Sequence, residues 1–75
     1  MNEQEIEEFR DACRQIFKKF YPEPNIRIMS INILGEKSIV HARFTNDNYF
    51  FIVTPDSVSA SYNNFNDAKQ NILNI

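Results

Sequence analysis

His41 is the only histidine of the chain and Cys13 its only cysteine, so catalytic or metal chemistry would have to be built around one or both of them. A histidine serves as a general base when it titrates near neutral pH and a carboxylate orients its ring. His41 lies in an alternating apolar and polar stretch, where its expected cross-strand neighbours are Ser30 and Ile52. Neither can orient an imidazole, and His41 reads as a solvated strand residue. Cys13 falls between Phe9 and Phe17 at four-residue spacing, on the apolar stripe of a helix. A reactive thiol needs exposure and a cationic neighbourhood, whereas a buried one behaves as a small apolar group. Arg10 and Arg14 project from other helical faces, so Cys13 is expected in the core. One His and one Cys would need two carboxylates to complete a zinc site, and no spacing provides them. No glycine-rich phosphate loop is present. The chain is expected to be no enzyme and to carry no catalytic residue, metal or cofactor.

Charge is the other source of chemistry. Ten acidic and eight basic residues give a net charge of -2, too balanced for bulk attraction to nucleic acid or to a membrane surface. The charges are nevertheless segregated. Glu3, Glu5, Glu7 and Glu8 open the first helical segment, and Arg14, Lys18 and Lys19 close it, a gradient that suits the helix dipole. Arg27 follows at the start of the next element. Arg14, Lys18, Lys19 and Arg27 therefore form the basic patch of an alternative reading, a nucleic-acid-binding domain. Counterion release requires several phosphate contacts, which disfavours that reading.

The elements that position these residues follow from periodicity and turn chemistry. Ile6, Phe9, Cys13, Ile16 or Phe17, and Phe20 mark one helical stripe, and Pro22 and Pro24 stop it. Residues 3–20 are predicted as helix. Gly35-Glu36 is predicted as a two-residue type II′ loop. It pairs Ile33 with Ser38, Ile31 with Val40 and Met29 with Ala42. Asn46-Asp47 is predicted as a second loop, pairing Phe44 with Tyr49, Ala42 with Phe51 and Val40 with Val53. A three-residue loop at Asn46-Asp47-Asn48 would instead turn Phe50 and Ile52 inward. Pro55-Asp56 is the third turn, pairing Val53 with Val58, Phe51 with Ala60 and Tyr49 with Tyr62.

These registers agree on one apolar face: Met29, Ile31, Ile33, Val40, Ala42, Phe44, Tyr49, Phe51, Val53, Val58, Ala60 and Tyr62. A last helix is predicted from Phe65 to Asn74, with Asn64 and Asp67 in a capping arrangement and Phe65, Ala68, Ile72 and Ile75 on its stripe. At that length it must dock on the sheet to persist. The predicted fold is one small α+β domain over residues 1–75. It is a helix, a four-stranded antiparallel meander and a helix (αββββα), with both helices on one face.

The order helix–strands–helix resembles that of the double-stranded-RNA-binding domain, and Asp67-Ala68-Lys69-Gln70-Asn71 echoes the last helix of that family. Here the sheet has one strand more, and Lys69 is the lone cation of the last helix. The phosphate-clamping lysines that the resemblance implies are missing.

Function is then expected on the outward sheet face. Arg43, Phe50, His41 and Ile52 make its centre and Ile39 and Ile28 its margin, apolar anchors with a polar rim of the kind protein interfaces use. Phe50 and Arg43 are the expected hot-spot pair. If the last helix crossed to this face, it would bury it. The first strand, Ile26 to Leu34, offers an unblocked edge for a partner or for a two-fold homodimer. The expected function is a protein-interaction module, a regulator or inhibitor that binds another protein. Met1 leads into acidic residues without a secretory signal, no apolar run approaches a membrane span, and the single cysteine suits a reducing cytoplasm. Abundant Asn and Ile with one Gly and no Trp point to an AT-rich bacterial or phage genome.

Overall fold

The Asn2 side chain accepts a hydrogen bond from the Glu5 N–H (2.9 Å), and the Glu5 carboxylate accepts one from the Asn2 N–H (3.4 Å). This capping box satisfies donors that a helix start leaves open. Helix α1 then spans Glu3–Phe20, as predicted, and ends before Pro22. The structure, a computed structural model, describes residues 2–72. After α1 come β1 (Ile26–Leu34), β2 (Lys37–Phe44), β3 (Asp47–Val53), β4 (Val58–Tyr62) and α2 (Phe65–Ile72). The strands form an antiparallel meander in the order β1-β2-β3-β4.

The first turn is the predicted one. Leu34 pairs with Lys37, and Gly35 takes φ +65° at the first loop position, where the missing Cβ removes the usual penalty. The expected pairs Ile33–Ser38 and Ile31–Val40 follow. The alternation then breaks, because a bulge between Ile28 and Ser30 sets Ile28, rather than Met29, opposite Ala42. The extra residue reverses the phase of the strand start. Ile26 and Ile28 turn toward the face that carries Ile31, and Met29, predicted inward, is 51% exposed. The exchange brings two isoleucines, both partly buried, against the core in place of one methionine.

The second turn is Thr45-Asn46, not Asn46-Asp47. Phe44 pairs with Asp47, Ala42 with Tyr49, Val40 with Phe51 and Ile39 with Ile52. The displacement is two residues, so every side chain keeps its predicted face. Thr45 adopts φ +59°, an unusual conformation for a β-branched residue. Asn25 holds it there: the Thr45 N–H donates to the Asn25 carbonyl and the Asn25 amide donates to Thr45 Oγ1, both at 3.4 Å.

The third turn is again as predicted. Thr54 Oγ1 accepts the N–H groups of Asp56 (3.2 Å) and Ser57 (3.1 Å), and Val53 pairs with Val58. Two β4 residues, Ser59 and Ala60, then stand against Ile52 alone. This second bulge puts Ser61, not Ala60, opposite Phe51 and moves Tyr62 to the other face, opposite Phe50.

The helices lie on opposite faces of the sheet, which corrects the expectation that both share one. Cys13 and Phe17 of α1 pack on Ile31, Val40, Ala42, Phe51 and Val53. Ala68 and Ile72 of α2 pack on Ile39 and Ile52, flanked by Leu34, Phe50, Tyr62 and Phe65. Strand alternation makes these two separate cores. The Asn64 side chain caps α2 by accepting the Asp67 N–H (2.8 Å), and its amide also reaches the Asp67 carboxylate (3.0 Å). The predicted extension of this helix to Asn74, and Ile75 on its stripe, lie outside the described residues.

The second core carries a prediction. Truncating Ile52, which is fully buried, to alanine should cost about 3 kcal/mol in urea unfolding, whereas Met29→Ala should change stability by roughly 0.5 kcal/mol or less. Equal, small effects would mean that α2 does not close this face in solution.

Candidate interaction edge

α2 decides which of the expected contact residues are available. Ile39 and Ile52 have no exposed surface, so the outward face is closed at its centre. Ile28 lies on the other face, in the α1 core. Phe50 keeps its outward parity but is half-buried between two rings. His41 stacks on it (centroids 4.4 Å apart, 14° between planes), and Phe65 meets it edge-on at 6.3 Å. The strand partner of His41 is Phe50, and its Nε2 lies 2.9 Å from Asn48 Oδ1. An amide oxygen can fix the ring but supplies no negative charge to stabilise an imidazolium. Arg43 stays exposed and pairs with Asn48 on β3, not with Phe50.

Cys13 sits where its stripe predicts, fully buried. The Val53 carbonyl receives the Ser38 hydroxyl at 3.1 Å and lies 3.9 Å from Cys13 Sγ. Burial pushes the Cys13 thiol pKa up, and the Ser38 hydroxyl partly opposes the shift. The thiol is thus held protonated and away from solvent, the opposite of an activated nucleophile. Among the described residues, no group of three or more His, Cys, Asp or Glu side chains is gathered to hold a metal ion. Nor, among the described residues, is any helix long and apolar enough to cross a membrane.

The accessible chemistry gathers instead along β1. As the first strand of the meander it is paired on one side only. The Leu34–Lys37 pair closes a two-residue hairpin and is hydrogen-bonded, so Asn32 and Ser30 bond to β2 while Ile31 and Ile33 turn their N–H and C=O groups to the open edge. A groove of about 440 Å³ runs beside this edge, lined by Arg14, Lys18, Ile26, Arg27, Ile28 and Met29. Three of the four residues of the expected basic patch therefore meet. The fourth, Lys19, lines a different depression with Gln15, Ile16 and Pro55.

Sequence reasoning missed the association of Arg43 with this set. The Met29 bulge places Arg27 directly opposite Arg43, where a regular strand would have offered Ile28. Like charges in that position repel unless something neutralises them. Arg14 is tied to Asp11 at 3.3 Å, but no ion pair engages Lys18, Arg27 or Arg43 among the described residues. The signal for the bulge was present in the chain: Ile26 and Ile28 alternate in one phase, Ile31 and Ile33 in the other.

No known protein family matches the chain, and neither does any curated protein or any solved structure.

The buried thiol yields a test of sign. An acidic group whose pKa is raised by folding leaves stability untouched while both states are protonated, then lowers it once the unfolded chain begins to lose the proton. The stability of the wild type should accordingly fall further than that of Cys13→Ala as pH rises through the ordinary thiol range, in urea titrations from neutral to alkaline pH. Parallel curves for the two proteins would show that the thiol is not buried as described.

Proposed function

We propose that this chain is a small, non-enzymatic protein-interaction domain that binds another protein along the open edge of β1. It would act as a regulator or inhibitor in the cytoplasm. The observation that carries the reading is the pairing state of β1. Its Ser30–Leu34 half offers unpaired main-chain groups at Ile31 and Ile33 with no proline or lysine to block them, and an edge strand of this kind is a template for a partner's strand. Arg43, exposed, and His41, partly exposed, stand on β2, the strand next to this edge, and would contact the same partner. Phe50 then supports the site from below as the ring on which His41 rests.

The choice of edge over face predicts which variants matter. The Ile33 N–H points away from β2, so Ile33→Pro removes no bond of the meander while it blocks strand addition. In capture experiments from a lysate of the source organism, a folded Ile33→Pro bait should lose a protein that the wild type retains. Retention of the same protein by both baits would remove the edge from consideration.

A further inference from the structure

Four cations bracket the β1 edge from both sides of the sheet. Arg14 and Lys18 reach it from α1, and Arg27 and Arg43 stand opposite each other on β1 and β2. In a chain whose net charge is -2, this is a local reversal of sign. Neither Lys18 nor the Arg27–Arg43 pair is neutralised by a carboxylate among the described residues, although the chain has ten acidic residues to spend on such a role. Two arginines placed side by side are suited to carboxylates, which they can bind through paired N–H groups.

The main-chain groups and the charges lie at successive positions along one strand. Ile31 and Ile33 offer backbone pairing at one end, and Arg27, with Lys18 and Arg43 on either side of it, offers charge at the other. Met29, 51% exposed, lies between them at the bulge. We infer that the partner of this edge is an extended, carboxylate-rich peptide segment, added as a fifth strand against Ile31 and Ile33 with acidic side chains at Arg27, Arg43 and Lys18. This rests on the reading of β1 as the binding edge and names the chemistry of its ligand.

Other occupants fit less of the surface. A second copy paired through β1 has only the run Ser30–Leu34 before the bulge, against roughly 20–30 residues a side in a standard interface, and β1 pairing alone brings no counter-charge to Lys18, Arg27 and Arg43. A nucleic acid would use the cations but not the unpaired amides.

The test uses nine-residue peptides, matching the length of β1, in which valine alternates with glutamate or with lysine, and amide exchange read by NMR. The glutamate peptide should slow exchange at Ile31 and Ile33 and bind about tenfold more tightly than the lysine peptide, as a few exposed ion pairs would give. The double variant Arg27→Glu/Arg43→Glu should lose or reverse that preference while still folding. If both peptides protect the two amides equally, the acidic ligand is wrong and the edge reading stands. If neither protects them, both fail. Protection that grows with protein concentration in the absence of peptide would assign the edge to a second copy. An oligothymidylate that outcompetes the glutamate peptide and leaves both amides unprotected would assign the cations to nucleic acid.

Discussion

The constraint on which this small fold depends is that its two central strands are buried on both faces. Val40 and Phe51 pair beneath α1 while their neighbours Ile39 and Ile52 pair beneath α2. A short domain has little apolar surface to hide, and one sheet covered twice makes the most of it. Both helices need this arrangement. α2, at eight residues, is too short to persist without docking, and its docking side chains, Ala68 and Ile72, have no other core to enter. The small side chain of Ala68 lets the helix backbone approach Ile39 and Ile52 closely, and Phe65 and Tyr62 then cover the margins.

On the α1 side, rings fill the space where the helix ends. Phe17 meets Phe51 edge-on at 5.0 Å, and Tyr21 lies 5.1 Å from Phe51 and 5.7 Å from Phe44. Such geometries are favourable beyond the area they bury. They also explain why Thr45 accepts a positive φ. The turn must hand Phe44 back to the sheet beside Tyr49, 5.2 Å away, and the aromatic cluster outweighs the local strain of one residue held by Asn25.

The same double coverage leaves only the periphery of the sheet open. With the sheet centre closed, the β1 edge stays open, and α2 rests on β2, β3 and β4. The Met29 bulge shapes that edge in two ways. It shortens the stretch open to pairing, a common protection against uncontrolled association, and it brings Arg27 into register with Arg43. A packing device thus also composes the charge pattern on which the proposed recognition relies.

Much of this was legible in the chain. The α1 stripe, its charge gradient and the two prolines specify the first helix. Gly35-Glu36 and Pro55-Asp56 specify two turns because their backbone preferences are local. Even the misplaced Asn46-Asp47 loop preserved the faces, since a shift of two residues leaves strand parity unchanged. The continuous run Tyr49-Phe50-Phe51-Ile52-Val53 carried the mark of a strand buried on both sides, a signal that the alternation of its neighbours obscured. Tertiary structure alone decided the rest. Which face α2 takes depends on side chains from three strands meeting at once, and the two bulges depend on which residues each helix needs beneath it. Those choices determine that Ile39 and Ile52 are core and that Ile28 lies under α1. They also bring Arg27 to Arg43, because the pairing of distant residues is fixed by packing across the sheet and not by the local preferences of either strand.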